Sequence, residues 1–235
     1  AQGFFHGELD FATAFARGGF DLQVGNPPWV RPEVAVETLL ADGDPWWMLT
    51  KKPSVAARNE RMPRTLARPC VLSTVLDGAA ETEVLAEFIS DQALYPVMEG
   101  RPDLYRAFMC QVWEHQSRTG TAALVHMETH FTDAKTPELR ACTYRRLRRH
   151  WQFINELQLY DVDHHNAYGI HIYGTERAPH FLHATSLYHP ETVLRSLMHD
   201  GSGEEPGIKD PHTGTWDLRP HSSRIEQIDE SALKI

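Results

Sequence analysis

A six-residue alternation that halts on two prolines does most to limit what this chain can fold into. In GGFDLQVGNPPWVRP, from Gly18 to Pro32, Phe20, Leu22 and Val24 alternate with Asp21, Gln23 and Gly25. That period of two predicts a strand with one face more buried than the other. Pro27 and Pro28 cannot donate to a ladder, so they end the strand and stiffen the turn beyond it. The amide of Asn26, rigid carbonyls and the indole of Trp29 are thereby held at the carboxyl end of a strand. In open α/β sheets, ligands sit at that end.

These groups suit a planar amino group. The Asn26 side-chain oxygen and the Pro27 carbonyl can each accept one amine proton. Trp29 offers a flat face to an aromatic ring and can stabilise positive charge growing on an amine. A nucleobase flipped from a duplex needs that combination of stacking and edge hydrogen bonds. The competing reading of so short a motif is a strand-ending turn with a packed Trp.

Further along, strand and helix patterns alternate. A long Pro-, Arg- and Trp-rich insertion from Arg31 to Arg101 carries one expected helix, Glu81 to Ser90. Its Trp46-Trp47-Met48 reads as core or lid packing. Asp103 can cap a helix reaching His115, with Leu104, Phe108 and Val112 inward. Thr121 to His126 reads as a buried strand. Thr136 and Pro137 start another helix, with Leu139, Leu147 and Trp151 inward at helical spacing. Phe153 to Tyr160 and Tyr168 to Tyr173 read as two strands that form an antiparallel edge. The sum is an α/β pattern whose sheet is covered on both faces. After Gly174 the pattern weakens, and 200–214 is a loop.

The stretch FFHGELDFATAFARGGFDLQVGNPPWVRP resembles the amino-methylating, adenine-specific DNA methyltransferases of restriction and phage-defence systems (the Eco57I-like group). RPDLYRAFMCQVWEH is similar to the helix that follows that family's catalytic loop. GTAALVHMETHFTDAKTPELRACTYRRLRRHWQFINELQLYDVDHHNAYGIHIYG is similar to its next strands and helix. The resemblance runs from Phe4 to Gly174, with a looser insertion between Arg31 and Gly100.

The resemblance implies the catalytic half of a Rossmann-like class I methyltransferase fold, a mostly parallel sheet with an antiparallel edge. Residues 1–180 would be that half, with the insertion at about 31–100, and 181–235 a connection into a target-recognition region. Asn26 and the Pro27 carbonyl would hold the target amine, Pro28 would shape the loop, and Trp29 would stack on the flipped adenine. Tyr168, after Asn166, would close the other face. The implied methyl donor is S-adenosylmethionine, which Asn26 would border. The implied partners are double-stranded DNA and other restriction or defence-system subunits. The family's Gly-rich donor turn precedes the motif, yet only 25 residues stand before Asn26 and none forms such a turn. Gly18-Gly19 comes just before the motif strand. The expectation is a catalytic half that is inactive alone.

Composition narrows the alternatives. No stretch is apolar enough to span a membrane and no signal segment opens the chain, so a cytoplasmic protein is expected. Cys70, Cys110 and Cys142 are widely spaced and read as free thiols. A net charge of −9 counts against DNA binding. Against it stand Arg140, Arg145, Arg146, Arg148 and Arg149 in one helical stretch, read as a solvated face slightly ahead of a DNA contact. Fourteen histidines invite a metal reading. His164, His165 and His171 with Asp161 and Asp163, then His180, His183 and His189, have ligand chemistry but no ligand motif. No metal site is expected there; surface or hydrogen-bonded histidines are. Three readings remain in rank order: the adenine methyltransferase half, a non-catalytic nucleic-acid- or partner-binding remnant of that fold, and a metal-dependent hydrolase.

Overall fold

The computed structural model describes residues 7–161, 163–164 and 166–234. Two helical turns, α1 (Gly7–Asp10) and α2 (Ala12–Ala16), lead into β1 (Phe20–Gly25). Gly19 makes that junction at φ +112°, so close to His115 that a Cβ would overlap its carbonyl. Only glycine meets both demands. Four helices interrupt the sheet: α3 (Val36–Ala41), α4 (Trp46–Leu49), α5 (Val55–Leu66) and α6 (Val71–Ser90). The chain returns through α7 (Leu104–Glu114) to β2 (Gln116–Met127), α8 (Thr129–Thr132) and α9 (Pro137–Arg146). Then come β3 (Leu147–Ile154), β4 (Ala167–Tyr173), β5 (His180–Leu187), α10 (Pro190–Ser196) and β6 (Glu226–Asp229).

The strands form one mixed α/β sheet of six, ordered β1-β2-β4-β3-β5-β6. β1 is parallel to β2, and β3 to β5. The pairs β2–β4, β4–β3 and β5–β6 are antiparallel. This corrects the expected mostly parallel sheet with an antiparallel edge, because β4 is antiparallel to both neighbours and lies inside the sheet. The physical reason is the β3–β4 connection, in which the described residues hold one short 3-10 turn (Asn155–Leu157) and no crossover helix. A parallel return would need such a crossover. The segment beyond 180 supplies β5 and β6 and continues the same sheet.

Local expectations shift by register. The helix after Pro137 stops at Arg146, so Leu147 and Trp151 belong to β3. A bulge between Leu147 and Arg149 sends the Leu147 and Trp151 side chains into different cores. A spacing of four fits both periods, which is why the pattern misled. On α7 the buried positions are Tyr105, Arg106, Ala107 and Met109, whereas Phe108 is 45% exposed. Asp103 precedes that helix without capping it, and Thr136 likewise makes no side-chain cap.

Two cores flank the sheet. Tyr105, Met109, Leu124, Leu139, Leu147 and Tyr173 pack on the face covered by α7 and α9. Trp151, Phe153, Tyr168, Ala184 and Leu187 pack on the other, with Val193 of α10. Each fully buried side chain of this size contributes about 1.5–3 kcal/mol. β1 departs from this order. Leu22 and Val24, expected on the buried face, are 65% and 76% exposed. Gln23 instead turns inward and donates to the Val112 carbonyl at 2.8 Å.

The insertion has its own small core of Leu40, Trp47 and Val71. Trp47 is buried there, whereas Met48 is exposed. No helix among the described residues is long and apolar enough to cross a membrane. Cys70, Cys110 and Cys142 form no disulfide.

Candidate functional site

Because β1 and β2 are parallel neighbours, the residues following each leave the sheet at the same end. The Asn26–Trp29 loop therefore begins beside the end of β2. Asn26 and Pro28 are exposed, Pro27 is buried and Trp29 is half-buried. The Trp29 indole Nε1 donates to the Val125 carbonyl at 3.1 Å. Two further contacts hold the loop's other end on α7. The Leu104 amide donates to the Val30 carbonyl at 3.1 Å, and Arg31 Nε lies 3.3 Å from Asp103 Oδ2. Burial pushes the Asp103 carboxyl up, and the Arg31 hydrogen bond opposes it. The insertion thus leaves and rejoins the sheet domain at one salt-bridged point.

Three rings gather behind the motif. Trp29 lies 5.8 Å from Tyr168 with 27° between planes, and 5.0 Å from Tyr160. Tyr168 is 3% exposed and also stacks on Phe153 at 5.5 Å. The structure therefore brings Trp29 and Tyr168 together, but as packed neighbours. A base between them would need the rings about 7 Å apart, two stacking distances. Burial, then the nearby Tyr160, pushes the Tyr168 phenol up to about 12, so it stays neutral.

The arginines are engaged internally. Arg140, Arg145 and Arg146 lie on α9, while Arg148 and Arg149 are on β3, which corrects the single helical stretch. Arg145 and Arg146 pair with Glu176, and Arg146 also covers Trp113. Arg140 donates to the Phe131 and Asp133 carbonyls, and Arg148 to those of Arg146, Leu147 and Thr175. Arg149 is exposed.

The histidines form a different group from the one suggested by sequence proximity. His164 lies beside Asp163, His180 is exposed on β5, and His189 caps α10. His165 lies outside the described residues. His171 and His183 instead join a row across the helix-covered face: His126, His171, His150 and His183, on β2, β4, β3 and β5. Neighbouring ring centroids are 3.8, 4.8 and 4.9 Å apart. Glu128 reaches this row from just beyond β2. Its Oε1 lies 3.0 Å from His150 Nε2 and 3.1 Å from His171 Nε2. Donor atoms of Glu128, His150 and His171 all lie within 4.8 Å of one another, and the three residues are buried.

Burial sets the protonation of His126, His130, His171 and His183, with neighbouring charges modulating it. Burial drives His126, His130 and His171 down, and His183 to about 4, so these rings are neutral. Burial also pushes Glu128 up, yet the hydrogen bond from His150 and the close approach of His171 outweigh it and keep the carboxylate ionised. Sequence reading missed Glu128 and His150. A signal existed in HMETH, where His126, Glu128 and His130 recur at the strand period of two.

No family model and no curated protein matches this chain. Among the solved structures similar to it are two of low identity. One is an ATP-dependent Type ISP restriction-modification enzyme, LlaBIII, bound to DNA. It is 8% identical with a TM-score of 0.39, over 79% of this chain and 12% of that one. The other is a nuclease-deletion mutant of the Type ISP restriction-modification enzyme LlaGI in complex with a DNA substrate mimic. It is 10% identical with a TM-score of 0.31, over 69% of this chain and 12% of that one. This chain therefore spans 12% of the length of each of these structures.

Proposed function

We propose that this chain is the catalytic half of an adenine-specific DNA methyltransferase serving restriction-modification or phage defence, with S-adenosylmethionine as donor. One observation carries the reading. Asn26 stands exposed at the ends of two adjacent parallel strands, on a loop fixed by Pro27, Pro28 and the Trp29–Val125 hydrogen bond. The order β1-β2-β4-β3, with an antiparallel strand between the second and fourth, is compatible with it.

In this reading Asn26 and the Pro27 carbonyl accept hydrogen bonds from the target amine, and one face of Trp29 receives the base. Positioning the amine is the chain's share of the catalysis. Among the described residues no turn fits the donor's adenosyl group. Gly18 and Gly19 precede β1, and Gly19 is filled by the His115 backbone. DNA is the proposed partner, with further defence-system subunits.

The test is methyl transfer to duplex DNA by the polypeptide that joins this chain to a donor-binding half. Asn26→Ala should lower transfer by more than about 100-fold, as loss of a positioned hydrogen-bond partner does, with near-UV circular dichroism unchanged. Retained transfer would overturn the reading. A second reading, a non-catalytic binding remnant, is favoured by the packed Trp29–Tyr168 pair. It expects no donor binding even in the joined polypeptide.

A further inference from the structure

We propose that Glu128, His150 and His171 bind a divalent transition-metal ion, zinc foremost, with one coordination position open to the cavity beside them. The donor set is two imidazoles and one carboxylate, the combination that leaves a zinc ion a free position. The three donors come from three adjacent elements: the turn after β2, and strands β3 and β4. His150 and His171 are direct cross-strand partners in the β3–β4 ladder, so their rings leave the sheet side by side. Gly169 shares that face two residues before His171. A Cβ there would overlap both the Glu128 carboxylate and the His171 ring. The missing side chain is what lets Glu128 lie over the sheet between the two rings.

The two carboxylate–imidazole spacings fit a metal's first coordination sphere, and the imidazole donors, within 4.8 Å of each other, would draw closer on binding. Zinc bonds of about 2.0–2.2 Å in a tetrahedron set neighbouring ligand atoms roughly 3.3 Å apart. The Glu128 oxygen lies 3.0 Å and 3.1 Å from the two imidazole nitrogens. Hydrogen bonding alone leaves the cluster incomplete. Neither ring nitrogen of the fully buried His171 makes a hydrogen bond of good geometry, although Nε2 faces Glu128. Buried polar atoms are rarely left so.

Surrounding rings pack the ligands in place. His126 stacks on His171, and its own ring is fixed at both nitrogens, by the Met127 carbonyl and the Tyr173 hydroxyl, each at 2.9 Å. Phe131 packs against His150 at 4.9 Å. An entry path exists as well. A cavity of about 240 Å³ is lined by Glu128, His150 and His183 on one side and by Phe181, Ile228 and Leu233 on another. The ligands lie on the opposite sheet face from Tyr168, and none of them belongs to the Asn26–Trp29 loop, so the site does not rest on the methyltransferase reading.

The test uses the whole chain, stripped with a chelator, dialysed and titrated with zinc or cobalt(II). One equivalent should bind, with the visible absorption of cobalt in a nitrogen–oxygen site. Zinc should shift the ring ¹⁵N resonances of His150 and His171 and leave those of exposed His180 and His212 in place. Glu128→Gln and His150→Gln should each weaken zinc by more than the roughly 10–100-fold that losing an outer-shell partner costs. Absence of saturable binding to the folded chain would overturn the proposal. So would shifts confined to the exposed histidines, or variants that fold and bind as tightly as the parent. If the variants do not fold, the ¹⁵N shifts of the unaltered chain decide.

Discussion

The indole of Trp29 donates to the carbonyl of Val125 at 3.1 Å, one residue past Gly25–Leu124, the last β1–β2 pair. A side chain thus extends the β1–β2 contact where two prolines prevent the backbone from doing so. Trp29→Phe keeps a ring but deletes this bond, and should cost about 1 kcal/mol in urea unfolding. Trp29→Ala also loses the packing on Tyr160 and Tyr168, and should cost about 3 kcal/mol. A Phe variant as stable as the parent would mean that the hydrogen bond does not hold the loop.

Arg106 on α7 is 1% exposed and reaches Asp133 Oδ2 with two nitrogens at 3.1 Å each. Its Nε also donates to the Tyr105 hydroxyl at 3.2 Å. Burial pulls the guanidinium down, while Tyr105 and Asp133 hold it charged. Removing one partner of such a pair leaves a buried charge unbalanced. Asp133→Asn should therefore destabilise the chain by about 3 kcal/mol, whereas Arg106→Met, which removes the charge itself, should cost less. Equal losses in thermal or urea unfolding would contradict this ordering.

The motif strand, its proline stop, the α7 helix, β2 and β4 were legible because each is a run with one clear period. What was not legible depended on contacts remote in sequence. Leu22 and Val24 obey strand alternation, but which face is covered is decided by where α7 packs, and it packs on the Gln23 side. The antiparallel partnership of β4 with the strand before it was legible, but its place inside the sheet comes from its pairing with β2, remote in sequence. The histidine reading looked for ligands near one another along the chain. The actual cluster joins Glu128, His150 and His171 through cross-strand pairing that only sheet order creates. The arginines likewise lost their shared helix when α9 ended two residues before Arg148.

Inside the insertion, Asp44 is buried and takes bonds from Arg61 at 2.8 and 3.0 Å and from the Thr65 hydroxyl at 3.0 Å. Arg61, first among these, holds the carboxyl down at about 2, against the cost of burial. A carboxyl depressed on folding adds stability above its unfolded value, and that stability fades as pH falls through the folded one. Unfolding free energy should thus decline from about pH 5 to about pH 2. Asp44 should account for on the order of 1–2 kcal/mol of it, discounted because Arg61 is partly solvated. Asp44→Asn should lower stability at neutral pH and flatten this acid limb. A variant with the parent's acid slope would remove Asp44 from the account.

Gly169 offers the sharpest test of how the buried cluster is built. In a strand interior, replacing glycine by alanine ordinarily stabilises by roughly 0.5–1 kcal/mol, because the unfolded chain loses freedom. Here the new Cβ would meet the Glu128 carboxylate and the His171 ring. Overpacking of that kind costs about 1–3 kcal/mol, so the sign should invert. Glu128 would be pushed off His150, which it meets through both oxygens at 3.0 Å. Gly169→Ala should therefore be less stable than the parent in urea and bind zinc more weakly in the same titration. A more stable Gly169→Ala would show that Glu128 does not lie over β4, and the three-ligand geometry would fall with it.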